Sequence, residues 1–178
     1  MKSDVILIDN RGNGFAEALK QTGKVAEYRG ISPKNTTRLQ LMAEEMLSMA
    51  RSVTGEMQAS FWIECEGTAV ELHMTTKTVM DKEKRYLLIS SSTSRKNEAA
   101  NSFLGRLRDA FEEAMTADAD KEYFDLPVEL QADLAGRSID APEWDRYEQS
   151  VLLRLADNVK IGIRGGLVSM TVSKDFGE

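Results

Sequence analysis

The alternation of apolar and polar residues is clearest between Ser32 and Thr76, where it changes from a helical to a strand period. Ser32-Pro33 is a helix start: the serine hydroxyl can accept a backbone N–H of the first turn, and proline at the first helical position gives up no hydrogen bond. Leu39, Met42, Met46, Met49 and Val53 then recur at three- and four-residue steps as one apolar stripe, and Gly55 is placed to end the helix. Arg38, Glu45, Ser48 and Ser52 flank the stripe. Next, Phe61, Ile63 and Cys65 alternate with Ser60, Trp62 and Glu64. After Glu66-Gly67 the same period returns in Val70, Leu72 and Met74, so the spacing predicts a β-hairpin that needs a helix against its apolar face.

The rest of the chain extends this plan. A short strand, Val5 to Ile8, runs into Asp9-Asn10-Arg11-Gly12-Asn13-Gly14, and Phe15, Leu19 and Ala26 predict a helix interrupted around Gly23. Strand, glycine loop and helix can cradle an anion, but this loop lacks the third glycine of a dinucleotide fingerprint and the lysine of a Walker loop, so it reads mainly as a turn. Phe103, Leu107, Ala110, Phe111 and Ala114 share one face of a helix from Asn97 to Met115, and Thr116 to Ile139 reads as a loop with short helical turns. Asp140-Ala141-Pro142 opens a further helix with the stripe Trp144, Tyr147, Val151 and Leu155. Val159, Ile161 and Ile163 alternate, Gly165-Gly166 supplies a tight turn, and Val168, Met170 and Val172 alternate again as a C-terminal hairpin. The pattern predicts an α+β two-layer sandwich: one mixed, mostly antiparallel sheet with helices on one face and Trp62, Glu64, Glu71, His73 and Thr75 on the other. Trp62 stands out on that polar side, either covered by another segment or anchoring a subunit contact.

Composition narrows the function classes. At 178 residues and 42% hydrophobic content the chain supplies one ordinary domain core, with residues 1–30 as a strand-helix extension and no run long enough to span a membrane. Val5-Ile6-Leu7-Ile8 is too short, and too soon followed by Asp9, for a signal peptide, so a cytoplasmic location is expected. A formal charge of −6 argues against binding the phosphate backbone of nucleic acid. Cys65, the single cysteine, shares the apolar parity of Phe61 and reads as a small core residue; the lone histidine, His73, reads as a solvent-facing strand residue without partners for a metal site.

A helix bearing Glu44-Glu45, a hairpin, an irregular segment, further helices and a terminal hairpin introduced by Leu155-Ala156-Asp157-Asn158-Val159 together resemble the GHKL (Bergerat) ATPase fold of histidine kinases and bacterial anti-sigma-factor serine kinases. The resemblance covers Ile31 to Phe176 and is closest at the end, from Asp157-Asn158-Val159-Lys160-Ile161 through Gly165, Val168, Met170 and Lys174. It implies that Ser92 to Asn97, leading toward Gly105, occupies the place of the ATP lid and second glycine box, with Ser94, Lys96, Asn97 and Gly105 as candidate nucleotide contacts. It also implies a glutamate that activates a nucleophile, matched by Glu45, and an asparagine four residues later that ligates Mg²⁺, where this chain has Met49. A thioether is a poor ligand for so hard a cation. The family's Asp-x-Gly-x-Gly, which reads adenine, falls on Thr75, Lys77 and Val79, and no such motif occurs between Glu66 and Arg95.

The resemblance therefore implies a scaffold whose ATP chemistry is weakened or lost: a non-catalytic regulatory protein working through a protein partner, as anti-sigma factors do. Two other readings stand beside it. One is a divergent ATP-binding kinase with Glu45 as base, ATP or ADP as cofactor and poor provision for magnesium; the other is a small-molecule sensor using the remnant cleft. Neither nucleic acid nor membrane is an expected partner, and a second copy of the chain is a further option.

Overall fold

Each alternating run in the sequence becomes a strand whose apolar parity is buried. The structure, a computed structural model, describes residues 1–9, 11–54, 58–100 and 151–177. Expectations for Gly55, for 101–150 and for the side chain of Val53 lie outside the described residues. The elements run β1 (Ile6–Asp9), α1 (Phe15–Tyr28), α2 (Pro33–Thr54), β2 (Gln58–Glu66), β3 (Ala69–Lys77), α3 (Lys82–Ser90), a 3-10 turn (Glu98–Ala100), β4 (Asn158–Arg164) and β5 (Leu167–Asp175). The strands form one five-stranded sheet in the order β1-β2-β3-β5-β4, with all neighbours antiparallel, and a parallel bridge joins Asn97 to Ile161 beyond β4. The fold is thus α+β with a mostly antiparallel sheet, as the periodicity predicts.

Helix α2 supplies the second layer. Its stripe, widened by Ala43, Leu47 and Ala50, is buried in one cluster with Phe61, Ile63, Leu72, Met74, Ile161 and Met170 from the sheet. Thr36 N–H donates to the Ser32 carbonyl at 2.8 Å, and Asn35 N–H reaches the Ser32 hydroxyl at 3.4 Å, so the predicted start holds. Gly23 does not interrupt α1. A Cβ there would lie 2.9 Å from Gln40 Nε2, and that amide donates to the Leu19 carbonyl at 3.2 Å; the glycine gives α2 room to cross, and the helix continues through it. α3 was missed by periodicity. Asp81 caps it, its carboxylate accepting from Lys84 N–H at 2.8 Å. Residues 151–155 are helical as expected, but Leu152 is their buried member, with Leu155 packed only partly against the core.

The β4 margin of the sheet is capped by its own chain, and the β1 margin is met at Leu7. Along β4, Val159 C=O accepts from Thr93 N–H at 2.8 Å and Val159 N–H donates to Thr93 Oγ1 at 2.7 Å; the side chain of Asn97 then takes both backbone groups of Ile163. On the other side, residues 1–3 continue the pairing along β2 through Cys65 and Ile63, and Gly14, at φ 82°, rests where a Cβ would strike the Leu7 carbonyl. Edge-to-edge addition of a foreign strand is thereby blocked at the points these groups occupy.

Carboxylates tie the C-terminal hairpin. Asp157 accepts from Asp175 N–H at 2.8 Å and pairs with Lys174, and these bonds hold its pKa below the ordinary 3.8. Asp175 is lowered too, by Thr68 Oγ1 at 2.6 Å and Gly177 N–H at 2.8 Å. A carboxylate with a depressed folded pKa stabilises fully above its unfolded pKa, and the benefit is lost as pH falls through the folded value. Stability should therefore hold from neutrality down to about pH 5 and decline below about pH 4. Urea midpoints between pH 7 and pH 3 check this, and Asp157→Asn should flatten the decline. An unchanged slope in that variant would remove Asp157 from the account.

Candidate functional site

Among the described residues, the positions implied by the GHKL resemblance are divided between the two faces of the sheet. Glu45 is half-buried on α2, and Met49, one turn later, is 2% exposed within the core beneath the sheet. Thr75 projects from the opposite face: along β3 it is Val70, Leu72, Met74 and Thr76 that point at the helices. Thr76 spends its hydroxyl on the Gln58 carbonyl at 3.1 Å. Lys77 is exposed at the strand end and Val79 is 86% exposed. Thr75 and Lys77 line an open groove of about 660 Å³ with Asn13, Gln58 and Ser60, but Glu45, Met49, Ser94, Lys96 and Asn97 are not part of it.

Where the resemblance implies an ATP lid, the side chains of Ser94 and Asn97 bond to their own chain. Ser94 Oγ donates to Glu98 at 2.8 Å and accepts from Lys96 N–H at 3.3 Å, bracing the turn. Asn97 is 7% exposed; its Oδ1 accepts from Ile163 N–H at 2.7 Å and Ala99 N–H at 3.1 Å, and its Nδ2 donates to the Ile163 carbonyl at 2.9 Å. The amide acts as a piece of strand beside β4. Gly105 lies outside the described residues. The glycine loop before α1 is likewise occupied by its own chain: Asp9 accepts from Arg11 N–H at 2.9 Å, Asn13 N–H at 3.0 Å and Asn13 Nδ2 at 2.7 Å, and these bonds, the Asn13 side chain first, lower its pKa. An internal carboxylate already sits on the donors that an anion would seek.

The described chemistry is densest on the open face of the sheet. Trp62 stacks on His73 with ring centroids 5.1 Å apart and planes 6° from parallel, because β2 and β3 set those two residues directly opposite. Trp62 Nε1 donates to Glu64 at 2.8 Å, Lys2 bonds the same carboxylate at 2.9 Å, and its ammonium lies 4.9 Å from the indole centroid. Lys2 first and Trp62 second hold the Glu64 pKa low. His73 faces Thr171 Oγ1 at 3.2 Å through Nδ1 and Glu71 at 3.2 Å through Nε2, although the latter geometry falls short of a hydrogen bond. Its side chain is only 15% exposed, which corrects the solvent-facing expectation: the neighbouring indole covers the ring. Cys65, by contrast, is buried on the core side, and burial raises its thiol pKa above 9.0, so it is a poor nucleophile.

The sequence pattern identified Trp62 as unusual but not its partner. A two-residue turn at Gly67-Thr68 fixes the register and would have shown both the Trp62–His73 pair and the opposition of Glu64 to Glu71. Among the described residues no group of three or more histidine, cysteine, aspartate or glutamate side chains is arranged to hold a metal ion, and no helix is long and apolar enough to cross a membrane. Compared with known proteins, the chain matches no family model and no curated sequence.

Proposed function

We propose that this chain is a non-catalytic regulatory protein of the cytoplasm that acts by binding another protein, on a scaffold resembling the GHKL fold. The observation that carries the reading is the position of Met49. Where the resemblance calls for a magnesium ligand, an apolar side chain is built into the core at 2% exposure. Asn97 supports it, since its amide is spent on the backbone of Ile163. The polar face bearing Trp62 offers an aromatic of the kind enriched at protein contacts.

The test is thermal unfolding with millimolar ATP or ADP, each with and without Mg²⁺. A ligand that binds the native state must stabilise it, by about 2.7 kcal/mol at a hundredfold excess over its dissociation constant. No shift is expected. A clear Mg-dependent rise in Tm would overturn the proposal in favour of a divergent ATP-binding kinase, and Glu45→Ala would then be the next variant.

A further inference from the structure

The open face of the sheet is ordered into rows, because antiparallel register places equivalent parities side by side. One row carries small side chains at its centre, Ser60 opposite Thr75 opposite Ser169, with the exposed Leu7 beside Ser60 at its β1 end. The next, two residues along each strand, carries larger ones, Trp62 opposite His73 opposite Thr171, and ends in the exposed Lys160 on β4. Beyond the large row lie Glu64 and Glu71, directly opposite one another; beyond the small row, on the same strand as Glu71, lies Lys77. Like charges facing across a strand pair are unfavourable. Lys2 answers Glu64, while among the described residues Glu71 meets no cation but the edge of the His73 ring. Lys77 is exposed and makes no ion pair among the described residues.

We propose that this face is a self-association surface on which two copies of the chain stack, sheet against sheet, about a two-fold axis running across the strands. That operator turns each strand end for end. It brings Lys77 of one copy over Glu71 of the other, twice by symmetry, and lays the large row over the small one, so the Trp62 indole enters the space left by Ser60. An axis along the strands would instead set Glu71 near Glu64 of its partner and large row on large row, so charge and shape select the same operator. Sheets packed face to face stand about 10 Å apart, and five strands at about 4.8 Å by seven residues at about 3.4 Å give roughly 550 Å² per copy, near the lower limit for a specific interface. This inference does not rest on the regulatory reading.

Sedimentation equilibrium of the full chain tests it. The wild type is expected to dimerise reversibly. Thr75→Arg, which fills the small row with a long cation, should leave it monomeric, with far-UV circular dichroism as in the wild type and a Tm that no longer depends on protein concentration. Lys77→Glu and Glu71→Lys should each weaken association by roughly tenfold or more, and the double variant should recover most of the loss because the pair is only exchanged between copies. At concentrations where the wild type is also monomeric, Glu71→Lys should not lower Tm, since it also relieves Glu64. A wild type that stays monomeric at about 100 µM, well above a micromolar dissociation constant, would overturn the proposal and leave the face to a different partner. A dimer indifferent to Thr75→Arg and Lys77→Glu, or a double variant no better than the singles, would overturn it as well.

Discussion

Asn97→Ala is expected to cost about 2–4 kcal/mol of folding stability, because each backbone group left without its partner in a buried place loses about 1–3 kcal/mol and the site relaxes in part. The side chain serves two such groups, Ile163 N–H and Ile163 C=O, and a third, Ala99 N–H, that is only partly buried. Water cannot simply replace it at 7% exposure, with Ala99 lying against Gly162, where a Cβ would come within 3.5 Å of that alanine. Asn97→Asp is the sharper variant. It keeps an acceptor for the two N–H groups but turns a second oxygen toward the Ile163 carbonyl, so it should destabilise as well. Ser94→Ala, which removes exposed contacts to Glu98 and Lys96, should stay within about 1 kcal/mol. The measurement is the urea midpoint at constant slope. If Asn97→Ala unfolds with the wild type, β4 is not held by this amide and Asn97 returns as a ligand-binding candidate.

The strands were legible because each one alternates, and alternation survives only where one face is dry. Phe61, Ile63 and Cys65 against Ser60, Trp62 and Glu64 is such a case, and the structure buries the first set. Gly165-Gly166 was legible for another reason: both residues take positive φ, 54° and 76°, which the tight hairpin turn requires. α3 was not legible, since Lys82 to Ser90 buries only Arg85 and Leu88 and leaves no stripe; its one signal was Asp81 at the cap. Gly23 misled because a glycine inside a helix can break it or admit a neighbour, and only the crossing of α1 with α2 decides which.

The candidate site was less legible than the fold, for a physical reason. Residue type suggests what a side chain can do, but which face it occupies depends on register, and a shift of one residue reverses the face. Thr75, where the resemblance implies the adenine-reading residue, lies on the face away from Met49; Thr76, its neighbour, points inward. Asn97, a candidate because the resemblance places it in the ATP lid, has its amide consumed by a strand more than sixty residues away in sequence.

Met49→Asn puts the resemblance to its hardest test, since it restores the residue type that the active family uses for magnesium. The expected result is a loss of about 2–5 kcal/mol, combining the missing apolar contacts of a Met-sized core side chain with the burial of a polar amide. No gain of Mg-ATP binding should accompany it. The expectation follows from the neighbours: Met49 shares its cluster with Met46, Ala50 and the inward side chains of the sheet, at 2% exposure. Met49→Leu, which keeps apolar character and nearly the volume, should cost less than about 1.5 kcal/mol and shows that the penalty comes from polarity and lost packing. Urea midpoints and calorimetric titration with Mg-ATP decide the matter together. An asparagine variant that remained stable and bound Mg-ATP would mean that position 49 lines a cleft, and that the chain is one substitution away from a working nucleotide site. An unstable variant without binding would mean that this helix has been given over to packing, so that recovering the family's chemistry would require the core to be rebuilt around it.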